Sequence, residues 1–252
     1  MSKSKNKIIS IVAPLTLFLL IFGIWEAVVR IMDIPKWLFP APTAIFQSMI
    51  KNIGELWPHI IMTAQTVFIG FILAVPVGLF VAAMVTNFKL LNAAVTPYIL
   101  FLVTTPLITL VPLLMLWMGY GIEVRIVTVI IQAYAIVNMN ACTGFINVPV
   151  IRGELMKSLG ATRIQAFVHS ILPTALPDVF TGIRLASIFA TTACISAEYV
   201  GGNTGLGSQI IKYSQFLKTT ESFACIFYVT IIGLAMYGII SFVEKKVISW
   251  KI

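Results

Sequence analysis

Few side chains in this sequence carry reactive or ligating groups, and their spacing limits what they can do. Cys142, Cys194 and Cys225 all stand inside apolar runs without metal-like spacing, which predicts small core residues. His59 falls at the end of an apolar run and His169 in a polar connection, so no metal set and no catalytic set is expected. The run Gly201-Gly202-Asn203-Thr204-Gly205-Leu206-Gly207 is rich enough in glycine to cradle a phosphate, yet no G-x-x-x-x-G-K-[ST] occurs anywhere. A flexible loop leading into a short helix is the expectation there.

Two other groups are more informative. Gln132, Tyr134, Asn138 and Asn140 interrupt one apolar run, and Thr104 and Thr105 interrupt another. If those runs lie in lipid, such residues either line a polar pathway or hydrogen-bond between helices, and both readings need the same residue types. Glu26, Arg184 and Glu198 fall nearer the ends of runs, where they can snorkel or pair; Glu198 is read either as an outer gate or as half of a helix-end pair.

The second group is the stretch Glu154, Leu155, Met156, Lys157, Ser158, Leu159, Gly160 and Ala161. Leu155 and Leu159, four apart with Met156 beside them, make an apolar helical stripe. Pro149 suits a first helical position and Gly160 the left-handed residue that ends a helix. Thr162 and Gln165 form a capping box for a second helix, with Ile164, Phe167, Val168 and Ile171 on one side and Pro173 ending it. Glu154 either orients this segment by charge and hydrogen bonding or is a solvated helix charge. Apolar faces of this kind must be buried, on the chain's own helix ends or in a partner's groove.

The elements that position these residues follow from composition. Of 252 residues, 59% are hydrophobic and 10% charged. A soluble domain carries roughly a quarter of its residues as charges. Long continuous apolar runs, rather than alternation, predict an all-α polytopic membrane protein of about six helices, each needing about 20 residues to cross about 30 Å of hydrocarbon. The expected spans are 8–29, 60–85, 90–117, 124–145, 180–200 and 223–243, with kinks rather than breaks at Pro76, Pro97, Pro106 and Pro112. Between them lie an outer interfacial segment at 35–58, with apolar Ile45, Phe46, Met49, Ile50 and Ile53, a connection at 148–177 and an outer loop at 201–221. The basic stretch before the first run has neither the short core nor the small-x-small site of a cleaved signal.

The net charge of +8 is unevenly placed. Lys3, Lys5, Lys7, Lys89, Arg152, Lys157, Arg163, Lys245, Lys246 and Lys251 share one side if the chain alternates. Arg30, Lys36, Lys51, Arg125, Lys212 and Lys218 fall on the other. The positive-inside rule puts both termini in the cytoplasm. No aromatic stacking platform accompanies the cations, which argues against nucleic acid.

The 148–177 connection resembles the cytoplasmic coupling loop of bacterial ABC-importer permeases, E-A-A, three residues, G, nine residues, I-x-L-P. Glu154, Gly160 and Leu172-Pro173 keep those offsets, while Leu155 and Met156 replace two alanines and Ser170 the usual aliphatic residue. Phe39-Pro40-Ala41-Pro42, Pro112-Leu113 followed by Trp117-Met118-Gly119, Asn140 with Gly144, Thr181 to Leu185, Ala197-Glu198 and Gly205-Leu206-Gly207 are similar to the nitrate, sulfonate and taurine branch, covering most of the chain from Trp37.

The resemblance implies a single permease domain over 1–252 in a bacterial cell membrane, without a nucleotide site of its own. It also implies pairing with a second copy or a homologue, two cytoplasmic ATPases that hold ATP and Mg, and an extracytoplasmic binding protein. The cargo would be a small organic or inorganic anion or a vitamin-like heterocycle. An ion-coupled secondary carrier is the alternative, although no carboxylate or histidine stands at the centre of a span to relay protons. A membrane scaffold without transport is disfavoured by the long connection.

Overall fold

A computed structural model describes residues 2–248, with side chains described for 12–88 and 90–248. The side chains of Lys3, Lys5, Lys7 and Lys89, and all of Lys251, lie outside it. Among the described residues the chain is helical throughout, without strands: α1 (Ser2–Ile31), α2 (Pro42–Lys51), α3 (Ile53–Asn87), α4 (Lys89–Thr104), α5 (Leu107–Met118), α6 (Ile122–Ile146), α7 (Val150–Ser158), α8 (Arg163–Ala166), a π turn (Phe167–Ile171), α9 (Leu172–Gly201), α10 (Leu206–Gln215) and α11 (Thr219–Val247). Five helical stretches are long and apolar enough to cross a membrane, and α4 with α5 makes a sixth if a bent pair counts as one crossing.

That bent pair corrects the expected third span, 90–117. α4 and α5 meet at 103° rather than at a kink. Pro106 has no N–H to donate and pushes the preceding residue out of the helical region, and Thr105 accordingly sits at φ −73, ψ 124. Pro76, Pro97 and Pro112 remain inside helices. A second correction concerns Pro173. It does not end the second helix of that connection, because α8 runs through the π turn into α9, which also contains Pro177. The wider turn moves the carbonyl of the preceding turn away from the proline ring. The expected start of the fifth span at 180 is therefore already deep inside a helix. Likewise 53–58 belongs to α3, and Pro149 is the cap of α7 rather than its first residue.

The chain divides into two compact units. One comprises residues 1–57 and 209–227. In it Trp25 stacks on Phe39, and Phe22, Phe46, Phe223 and Phe227 complete an aromatic cluster. Glu26 pairs with Arg30 at 2.6 Å and accepts the Thr43 backbone N–H at 3.0 Å, so it caps the start of α2. On α2, Ile45, Ser48 and Met49 are buried while Ile50 is exposed, so the covered face includes a serine expected outside it. Tyr213 donates to Glu55 at 3.1 Å, and burial together with that carboxylate pushes its hydroxyl well above the usual tyrosine range, keeping it a donor.

The other unit comprises 58–208 and 228–252. Its core is the α6–α9 pair. Ala133, Ala141, Ala175, Ala186, Ala190 and Ala193 are buried along it, and small residues let helix backbones approach closely where lipid supplies no hydrophobic drive. Gly182 shows how close: a side chain there would collide with Asn140. Arg184 of α9 pairs with Glu244 of α11 at 2.9 Å.

Candidate functional site

Three places in the second unit gather the polar and exposed residues. The first is the turn between α7 and α8. Gly160 has φ +74, the left-handed conformation. The Gly160 N–H bonds to the Lys157 carbonyl at 2.9 Å and the Ala161 N–H to the Met156 carbonyl at 3.0 Å, the two bonds of a Schellman ending. One residue later Thr162 starts α8 with a complete capping box: its N–H donates to Gln165 Oε1 at 2.8 Å, and the Gln165 N–H donates back to the Thr162 hydroxyl at 3.3 Å. Arg152 donates to the Thr174 hydroxyl at 2.7 Å, tying α7 to the foot of α9.

No residue of α7 is buried. Ile151, Leu155 and Leu159, spaced by four, are 68%, 58% and 72% exposed, and Ile164 across the turn is 77% exposed. Glu154, Lys157 and Ser158 are also exposed and Met156 is half-buried. The turn is thus locked by its own backbone while its apolar stripe stays uncovered. A rigid, uncovered apolar ridge on a short helix suits insertion into a groove.

The second place is a recess of about 370 Å³ at the α4–α5 break, where Thr104, Thr105 and Gln132 converge with Thr192 and Ser196 of α9. Among the described residues no charged side chain lines it. The hydroxyls of Thr104, Thr105 and Ser196 donate to carbonyls one turn back, so each keeps acceptor capacity. Sequence reasoning missed Thr192 and Ser196; their four-residue spacing puts both on one face of α9, a signal readable in retrospect. The remaining polar residues of α6 lie elsewhere. Asn138 is buried and donates to the Gly78 carbonyl at 3.2 Å, an interhelical bond, while Asn140 donates to Ile136 of its own helix. Tyr134 packs beside the α6–α9 core.

The third place surrounds Glu198, which has no exposed surface. Its carboxylate accepts the Thr63 hydroxyl at 2.8 Å and the Gly207 N–H at 2.8 Å; Thr63 in turn accepts the Leu206 N–H at 2.9 Å. Two orphan N–H groups at the start of α10 are thereby satisfied. Gly205, at φ +101, donates to His59 Nδ1 at 3.1 Å, and Arg125 donates to the Thr204 carbonyl at 2.9 Å. Side chains at 205 or 207 would run into Glu198, so both glycines are required by close approach. The glycine-rich run expected to be a flexible loop is held at every turn. Glu198 closes this cradle and contributes no surface to the recess. Arg125, expected among the cations of the less charged side, is 4% exposed inside α6, and nothing in its neighbouring sequence foretold a partner at Thr204.

A polytopic helical chain with an uncovered turn between two short helices and a polar recess at a broken helix has the features of a membrane transport subunit. The chain belongs to the family described as binding-protein-dependent transport system inner membrane component, whose model matches residues 74–249. It is 27% identical to a probable ABC transporter permease protein of Haemophilus influenzae, over 97% of this chain and 99% of that one. It is also 27% identical to the formylaminopyrimidine transport permease protein ThiX of Halalkalibacterium halodurans (94% and 95%) and to a putative aliphatic sulfonates transport permease protein SsuC of Bacillus subtilis (92% and 84%). Among solved structures, an amino acid ABC transporter matches with a TM-score of 0.65 at 22% identity, covering 80% of this chain and 98% of the other. The MetNI methionine ABC transporter in an inward-facing form matches at 0.58 and 21%, covering 77% and 95%.

Proposed function

We propose that this chain is the membrane-spanning subunit of an ATP-driven importer and that the α7–α8 turn is where ATPase subunits act on it. The observation carrying this reading is the uncovered stripe of Ile151, Leu155 and Leu159 on a helix whose end is fixed by Gly160 and Thr162. Burying each leucine in a partner's groove would contribute about 1.5–3 kcal/mol. Glu154 would orient the helix by charge, and Ala161 would let the partner approach closely. The turn continues through the π turn into α9, so a displacement there reaches a helix that lines the recess. ATP and Mg would be held by the ATPases.

In the same reading, two such subunits, identical or homologous, enclose the path in a bacterial cell membrane with their termini in the cytoplasm. An extracytoplasmic binding protein delivers the solute. Curated relatives bear names for sulfonates, taurine, nitrate, riboflavin and a formylaminopyrimidine, which favours a small organic or inorganic anion or a vitamin-like heterocycle. Thr104, Thr105 and Gln132 would meet it with neutral hydrogen-bonding groups. Tyr134, Asn138, Asn140 and Glu198 would act from behind, by fixing the helices that shape the recess.

Uptake into vesicles loaded with ATP tests the energy source. Uptake that persists with ionophores present while ATP stays high is expected; its abolition under those conditions identifies an ion-coupled carrier instead. Gly160→Val and Glu154→Lys should each uncouple ATP hydrolysis from uptake while leaving the chain in the membrane, and normal substrate-stimulated ATPase in both variants would sink the docking role.

A further inference from the structure

Two adjoining cavities lie where α3 gives way to α4. One, about 660 Å³, is polar at Thr86, Asn87, Lys157 and Arg163. The other, about 270 Å³, is almost wholly apolar, with Phe80, Ala83, Met84, Ile164 and Phe167 around it. Asn87, Phe88 and Arg163 border both, so they form one continuous groove with a polar head and an apolar tail. Among the described residues no carboxylate borders either part. The side chains of Lys157 and Arg163 have no hydrogen-bond or ion-pair partner among the described residues. Two uncompensated cations in a concave polar site call for an anion, and a guanidinium matches phosphate oxygens two at a time.

Depth selects the source of that anion. Asn87 ends α3, which is apolar enough to cross a membrane. Phe80 stands seven residues further in, about 10 Å along the axis at 1.5 Å per residue. A water-soluble partner does not reach that far into hydrocarbon, whereas an acyl chain lies there already. We propose that this groove binds an anionic phospholipid, its phosphate held by Arg163 and Lys157 and one chain lying along Phe80, Met84 and Phe167. Basic pockets beside membrane helices are favourable sites for such headgroups. The lipid would then touch both α3 and the segment that carries the α7–α8 turn.

The test uses the transporter purified with its partner subunits. Phosphatidylglycerol or phosphatidylcholine with identical acyl chains is added, and native mass spectrometry counts the lipids retained. Phosphatidylglycerol should be retained several-fold more than phosphatidylcholine. Arg163→Gln should reduce it to the phosphatidylcholine level, Arg163→Lys should restore part of it, and Ala83→Trp, which fills the tail of the groove, should lower both. Equal retention of the two lipids by the unaltered protein, or an unchanged preference in Arg163→Gln, overturns the proposal. So does binding to the isolated chain that disappears in the assembled transporter, which would give the groove to an ATPase segment.

Discussion

The α7–α8 turn and the Glu198 cradle solve the same problem, ending one helix and starting another, by opposite means. At the turn itself the bonds are local, Gly160 to Lys157, Ala161 to Met156 and Thr162 to Gln165, and Arg152 to Thr174 is the longer tie from α7 to α9. At the cradle the bonds cross the sequence: Thr63 to Glu198, Leu206 to Thr63, Gly205 to His59. The turn leaves its apolar side chains uncovered, and the cradle buries Glu198, Gly205, Leu206 and Gly207. A segment left uncovered within the chain holds its shape with its own residues. A segment that must stay closed is built from distant ones.

The largest effect should come from breaking the cradle. Gly205→Val places a branched side chain at φ +101 against the Glu198 carboxylate, and the protein is expected to accumulate poorly in membranes, read by immunoblot against the unaltered chain. Normal levels and a normal thermal midpoint would mean that the cradle is not needed for folding.

Next in size is the effect on the turn. Leu155→Asp with Leu159→Asp should weaken ATPase docking roughly 10- to 100-fold per leucine. Uptake should be lost while the thermal midpoint of the chain stays put, because neither residue is buried within it. A matching fall in that midpoint would erase the contrast between the two regions.

Smaller still, Glu198→Ala strips the partner from the Gly207 N–H and the Thr63 hydroxyl and should destabilise the chain by about 1–3 kcal/mol. Glu198→Gln keeps one acceptor oxygen and should lose less; denaturation of the two variants side by side orders them. The smallest effect is expected for Thr162→Ala, about 1 kcal/mol from a lost cap. Hydrogen exchange should show it as faster exchange of the Gln165 amide alone, with the cradle amides unchanged.

The same contrast explains what could be read from the sequence. The turn was legible because Gly160, Thr162 and Gln165 act on residues within a few positions of themselves, and the apolar runs located the membrane helices because lipid demands them. The break at Thr105-Pro106 was not legible, since Pro76, Pro97 and Pro112 carry the same local signal and stay inside helices. What separates them is whether neighbouring groups donate to the freed carbonyls, which only the fold decides. The cradle was invisible for the same reason. Glu198 reads as a lone carboxylate near a span end, and its partners Thr63 and Gly207 approach it only once α3, α9 and α10 are in place. The pathway residues divided along this line too: Gln132 met Thr104 and Thr105 in one recess, and Asn138 turned to the Gly78 carbonyl.

The π turn at Phe167–Ile171 gives α9 a mechanical character. α9 has 30 residues, so it is a rod about 45 Å long. Its alanine-lined side is clamped along α6, which leaves little freedom to bend midway. The widened turn at its foot interrupts the regular hydrogen-bond ladder of that line. A push received at the exposed ridge would be carried by a stiff shaft with one knuckle, as travel of the whole rod rather than as local compression.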